Sequence, residues 1–204
     1  MDLRVSPQTD HTRTRPGARE APRHDSEPGA EPYALLGIEL RRVPRPGTKI
    51  VGDIEEVVLN RCVLAVVEVL TAGGAEIEVA GTSKRPVVEA RFEGKDASRG
   101  AARAAIQVLS SVRQVQRAAE NEFQVMGALT VGTAMAGPNG TRVVSGGADQ
   151  LQARLRERAA PGQVLLSEEA RRATREVVET TPARGSAAGP DGEDSPTHIL
   201  RGLK

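Results

Sequence analysis

Along this chain the spacing of apolar residues changes from continuous to helical to alternating, and the changes mark out the elements. Tyr33 to Leu40 (YALLGIEL) is a mostly apolar run of strand length, which predicts a central strand. Asp53 with Glu56 three residues on reads as a capping-box start. The apolar run from Val57 to Leu70 stops at Gly73 and Gly74, as a largely buried helix with a glycine stop would. Ala75 to Ala80 and Pro86 to Phe92 are short segments joined by Gly81, Thr82, Ser83 and Lys84, which predicts two antiparallel strands with a four-residue link. Asp96 then caps a long helix in which Ala101, Ala105, Val108, Val112, Val115 and Ala119 form one apolar stripe, while Arg99, Arg103, Gln107, Arg113 and Arg117 occupy the other face.

The second half is built of shorter pieces. Val125, Leu129, Val131 and Met135 alternate with small residues in a strand, Gly137 to Gly140 (GPNG) supplies a turn, and Arg142 to Ser145 is its partner strand. Leu151 and Leu155 share one face of a helix ended by Pro161 and Gly162. Val164 to Leu166 is a short strand, Ser167 caps a helix through about Val178, and His198 to Leu203 is a closing strand. This order predicts an α+β fold, an α/β sandwich with a mixed sheet.

The two polar stretches set the boundaries. Met1 to Pro32 has only Leu3 and Val5 as sizeable branched apolar residues and reads as a disordered tail; its Arg13, Arg15, Arg19 and Arg23 are interleaved with Asp10, Glu20, Asp25 and Glu27. Thr180 to Thr197 contains no Val, Leu, Ile, Met or Phe and reads as a flexible surface loop. One domain over residues 33–203 is therefore expected within the 204 residues. A formal net charge of +1 gives no reason to expect a nucleic-acid or acidic-surface partner, and three aromatic residues are too few for base-stacking platforms. The single cysteine, Cys62, sits in an apolar run as packing. No stretch reaches the roughly 20 apolar residues of a membrane span, so a cytoplasmic protein without membrane contact is expected.

Gly146 to Leu166 (GGADQLQARLRERAAPGQVLL) resembles the segment of class III adenylate and guanylate cyclase catalytic domains in which Gly-Asp-Thr-Val-Asn-Leu-Ala-Ala-Arg-Leu leads into Pro-Gly and a strand. Gly73 to Thr82 (GGAEIEVAGT) keeps the spacing of that family's Gly-Gly-Thr-Val-Asp-Lys-Phe-Ile-Gly-Asp, and Leu59-Asn60-Arg61 is similar as well. The resemblance runs from about Tyr33 to Leu203 and implies a ferredoxin-like nucleotide cyclase fold with a mainly antiparallel sheet. It also implies a dimer whose active sites form between two subunits, and two Asp residues holding Mg²⁺ or Mn²⁺ against a nucleoside triphosphate.

Against that expectation the chain departs at most functional positions. The first metal position falls within Ala34 to Ile38, which holds no acid; Glu39 is a remote candidate that alternation turns away from Ile38. The second falls on Thr82, the base-contacting lysine corresponds to Glu78, and the ribose-orienting asparagine corresponds to Gln150. Arg154 alone matches a catalytic residue, the arginine that stabilises phosphate charge. Read without the resemblance it is a solvated arginine beside Arg156 and Arg158, and Asp149 is a helix-start acid. The expectation is a degenerate cyclase domain acting as a dimerising regulatory module, homodimeric or heterodimeric, with no cofactor. The alternative is a nucleotidyl cyclase using Mg²⁺ or Mn²⁺, alone or as half of a heterodimer.

Overall fold

A computed structural model describes residues 30–42, 52–119, 123–136, 142–145, 147–188 and 194–204. The Gly137–Gly140 turn and nearly all of the expected tail lie outside these residues. Strand β1 (Ala30–Arg42) starts before the expected boundary, taking Ala30, Glu31 and Pro32 into the sheet opposite Met135, Ala134 and Thr133.

Helix α1 (Gly52–Ala72) follows, then the hairpin β2 (Glu76–Thr82) and β3 (Arg85–Glu93), helix α2 (Ala97–Ala119) and strand β4 (Phe123–Ala136). These six elements make the ferredoxin-like unit. Its strands lie in the order β2-β3-β1-β4, all antiparallel, with both helices on one face. The hairpin link is shorter than expected, because Thr82 pairs with Arg85 and Gly81 with Pro86, leaving Ser83 and Lys84 as the loop. Backbone N–H groups of Gly73 and Ala75 cap the end of α1 on the carbonyls of Val69 and Leu70, with Gly74 at φ 80°.

The extension adds β5 (Arg142–Ser145) on β4, helix α3 (Ala148–Arg158), β6 (Gln163–Leu166), helix α4 (Glu168–Thr174), β7 (Val178–Ala188) and β8 (Asp194–Leu203). Among the described residues the sheet has eight strands and continues past β4 as β6-β8-β7, with only the β4–β6 pairing parallel. Two expectations are corrected here. Helix α4 stops at Thr174, and Val178, expected as its end, opens β7 opposite Leu203; a β-branched pair, Val177 and Val178, favours the strand. The expected loop at residues 180–197 is instead largely the β7–β8 hairpin, in which polar Thr180 and Thr181 pair with Leu200 and Ile199. A strand at the end of a sheet needs little apolar content when its backbone pairing comes from one well-anchored neighbour.

The main core lies between the sheet and α1/α2. Ala34, Leu36, Ile38 and Leu40 of β1 meet Val58, Cys62, Val66 and Leu70 of α1 and Ala101, Ala105, Val108 and Val112 of α2. Helix α1 is less covered than its composition suggests, since Val57 and Leu64 are more than half exposed. A second, smaller core holds α3 to the opposite face through Leu151, Leu155, Met126, Ala128 and Leu165. No described helix is long and apolar enough to cross a membrane.

Candidate functional site

Alternation along β1 decides what each face carries. Ala34, Leu36 and Ile38 enter the main core, so Tyr33, Leu35, Gly37 and Glu39 face the other side. Register extends that second face across the hairpin: Leu35 is opposite Arg91 and Gly37 opposite Glu89, while Arg91 and Glu89 are opposite Glu76 and Glu78. The face that packs no helix over β2 and β3 is therefore charged.

Helix α3 forms the other wall. It lies so close to β1 that a Cβ added at Gly37 would fall 1.4 Å from Gln152 Nε2 and 2.8 Å from Arg156 Nη1. Arg156 Nη1 donates to Glu89 Oε1 at 2.9 Å and to Gln152 Oε1 at 3.3 Å, tying helix to hairpin. Between these walls lies a cavity of about 390 Å³ whose polar lining is Glu76, Glu78, Glu89, Arg91, Asp149 and Gln152. Tyr33 is buried behind it with its ring against Gly132, and its hydroxyl has no hydrogen-bond partner among the described residues. Burial, reinforced by the charge of Asp149 and partly offset by Arg91, pushes its pKa up to about 12.

The residues singled out in the sequence are not gathered in one place. Glu78 lines the cavity on β2, and Asp149 lines it from the first turn of α3. Gln150 and Arg154 do not line it; Gln150 is exposed, and Arg154 Nε donates to the Gln150 carbonyl at 3.3 Å. Thr82 ends β2, where its hydroxyl accepts the Arg85 backbone N–H at 3.2 Å. Within Ala34 to Ile38 three side chains are in the core, and the other two are Leu35 and Gly37.

Glu39 is buried, but two guanidinium groups occupy it. Its Oε1 accepts from Arg85 Nη2 at 2.7 Å and Nε at 3.0 Å, and from Arg41 Nη2 at 2.9 Å and Nε at 3.2 Å. Burial alone would push its pKa up; the hydrogen bonds and charges of Arg85 and Arg41 outweigh that and hold it below the usual carboxylate range. A two-metal centre needs several free carboxylates converging within a few ångströms. These residues do not fit one. Among the described residues no three His, Cys, Asp or Glu side chains come together as a metal-binding group.

Sequence reasoning missed Gln152, Arg156, Glu89 and Arg91 as parts of this site. The available signal was Gly37: a glycine inside an apolar strand marks a place where something approaches the backbone closely. Gln152 and Arg156, four apart on α3, are what approaches.

No protein-family model matches the sequence, and no curated protein matches it. Solved structures do. The guanylate cyclase domain of RhGC from Catenaria anguillulae, in complex with GTP, superposes with a TM-score of 0.67 at 13% identity, over 85% of this chain and 98% of that one. The adenylyl cyclase CyaB from P. aeruginosa gives 0.65 at 13% identity, over 86% and 96%. The non-canonical dimeric guanylyl cyclase domain of the RhoGC fusion protein from the aquatic fungus Blastocladiella emersonii gives 0.62 at 14% identity, over 84% and 97%. This chain therefore has the fold of class III adenylate and guanylate cyclase catalytic domains.

Proposed function

We propose that this chain is a cyclase-fold domain that does not turn over nucleotide by itself and acts as a dimerising, regulatory module. The observation that carries the reading is the state of the carboxylate positions. No acid stands in Ala34 to Ile38, Thr82 offers a hydroxyl already engaged by the backbone, and Glu39 is held by Arg41 and Arg85. Losing metal ligands in a phosphoryl-type reaction removes several kcal/mol of charge stabilisation, which at about 1.4 kcal/mol per factor of ten is roughly a thousandfold or more in rate. The cavity adds to this. Glu76, Glu78, Glu89 and Asp149 outnumber Arg91 in its lining, a field that repels a triphosphate.

The dimer half of the reading draws on the fold, since the Blastocladiella domain is found as a non-canonical dimer as well as a monomer, and on Arg154, which lies off the cavity of its own chain. The same position favours a second reading, in which Arg154 is presented to an active site completed by a different cyclase-like subunit. Light scattering on the full chain separates the possibilities. A homodimer is expected; a monomer that becomes a dimer only with a cyclase-fold partner supports the second reading, and a chain monomeric under both conditions removes the dimerisation claim.

A further inference from the structure

Helix α1 is apolar nearly all round. From Val57 to Ala72 its only charged residues are Arg61 and Glu68, whereas the exposed face of the neighbouring α2 carries Arg103, Arg113 and Arg117. A helix of that composition is ordinarily enclosed on every side. Here only part of it is: Cys62, Val66 and Leu70 enter the main core, while Val57 is 51% and Leu64 59% exposed, with Asn60, Arg61, Glu68, Thr71 and Ala72 exposed around them. Along this open face Val57, Leu64 and Thr71 recur every seven residues, and Arg61 and Glu68 follow the same interval beside them, the pattern of a seam between two helices.

The two charges indicate what covers the seam. Neither Arg61 nor Glu68 is in an ion pair among the described residues. They stand two turns apart, about 10.5 Å along the helix, with opposite signs. In an antiparallel second copy of α1, the register that sets Arg61 against Glu68 of that copy also sets Glu68 against its Arg61, which is the reciprocity of a two-fold interface. The same register brings Leu64 against Ala65 of the second copy and Val57 against its Ala72, a large side chain on a small one at each contact. A parallel pair in register sets each charge level with its like and gives Glu68 no basic neighbour. We propose that the exposed face of α1 packs antiparallel on α1 of a second copy of this chain, with Arg61 paired to Glu68 across the seam and Leu64 at its centre. This rests on the reading that the chain dimerises, and it names the surface. Helix α1 and the cavity lie on opposite faces of the sheet, so such a dimer leaves the cavity and α3 open.

Light scattering over a dilution series of the 204-residue chain measures the association, since a single helix pair lies at the small end of stable interfaces and dissociates on dilution. Leu64→Glu places a carboxylate at the centre of the seam and is expected to weaken dimerisation at least roughly tenfold. Its thermal unfolding midpoint, taken where the protein is monomeric, is expected to match wild type because Leu64 lies outside the core. Arg61→Glu and Glu68→Arg each set like charges together at both ends of the seam and are expected to weaken association roughly three- to tenfold; the two combined are expected to restore it. Single charge variants without effect, or a combination that fails to restore association, overturn the antiparallel pairing. A dimer indifferent to all four variants overturns this surface and leaves the dimerising reading standing. A wild type that is monomeric at every concentration removes self-dimerisation, and this surface with it.

Discussion

Glu168 is the first residue of α4, and neutralising it as Glu168→Gln is expected to lower stability in a way that depends on pH. Its carboxylate accepts from Arg171 at 2.6 and 2.9 Å and from Arg172 at 2.9 Å, and its other contact is His198 Nε2 at 2.8 Å, linking α4 to β8. The Arg171 hydrogen bonds lower its pKa most; burial opposes them, and Arg172 and His198 add to the lowering, which brings the group down to about 2 from 4.5. That shift alone corresponds to about 3 kcal/mol. Arg172 is 69% exposed, however, and solvent screening reduces the usable part to about 1–2 kcal/mol. Because the folded pKa lies below the unfolded one, the contribution is complete above about pH 4.5 and is lost as pH falls through the folded value. By about pH 3 roughly two fifths remains. Urea unfolding of wild type and variant measures this. With a slope near 2 kcal/mol/M, the midpoint of the variant falls by about 0.5–1 M at pH 7, and the gap closes progressively on acidification. A gap that stays constant with pH, or no gap at pH 7, contradicts a stabilising charge on Glu168.

Other positions give sharper local tests. Gly37→Ala places a methyl group where Gln152 and Arg156 lie, and both are held between α3 and the hairpin, so a loss of about 1–3 kcal/mol is expected in the same unfolding assay; an unchanged midpoint contradicts the close approach of α3. Tyr33 is the only tyrosine, and its absorbance titration is expected to centre near 12 while the fold persists, with stability declining between about pH 10 and 12 because the folded state favours the neutral phenol; a midpoint at 10 in folded protein contradicts its burial. Cys62 is fully buried with its thiol pushed up to about 11 by that burial, so a thiol reagent at pH 8 is expected to label it only at the rate of opening or unfolding, and rapid labelling of folded protein contradicts the packing of α1.

The ferredoxin-like half was legible because its periodicities are long and its stops are glycines or turn residues. The α2 stripe buries from Ala101 to Val112, with Val115 partly buried, and alternate residues of the β1 run, Ala34 to Leu40, enter the same core. The β7–β8 hairpin was not legible: Thr180, Thr181 and Pro182 have no alternation of apolar residues, and they are strand only because β8 is there to pair with. The same distinction holds for the site. Missing carboxylates can be read from single positions, and the alternation that turns Glu39 away from Ile38 is a local property. That Glu39 meets Arg85, 46 residues away, and that Arg156 meets Glu89, 67 away, depends on strand register and on where α3 lands. Gly37 was the one local trace of that long-range packing.

A cyclase fold with these carboxylate positions emptied is expected not to make cyclic nucleotide. The purified 204-residue chain incubated with ATP and with GTP in the presence of Mn²⁺, beside an Arg154→Ala variant, tests it directly. No cyclic product above background is expected from either protein. Product formed by the wild type and abolished in Arg154→Ala would contradict it, and would mean that other oxygen ligands, with Glu39 freed from its arginines the first to examine, assemble around the nucleotide.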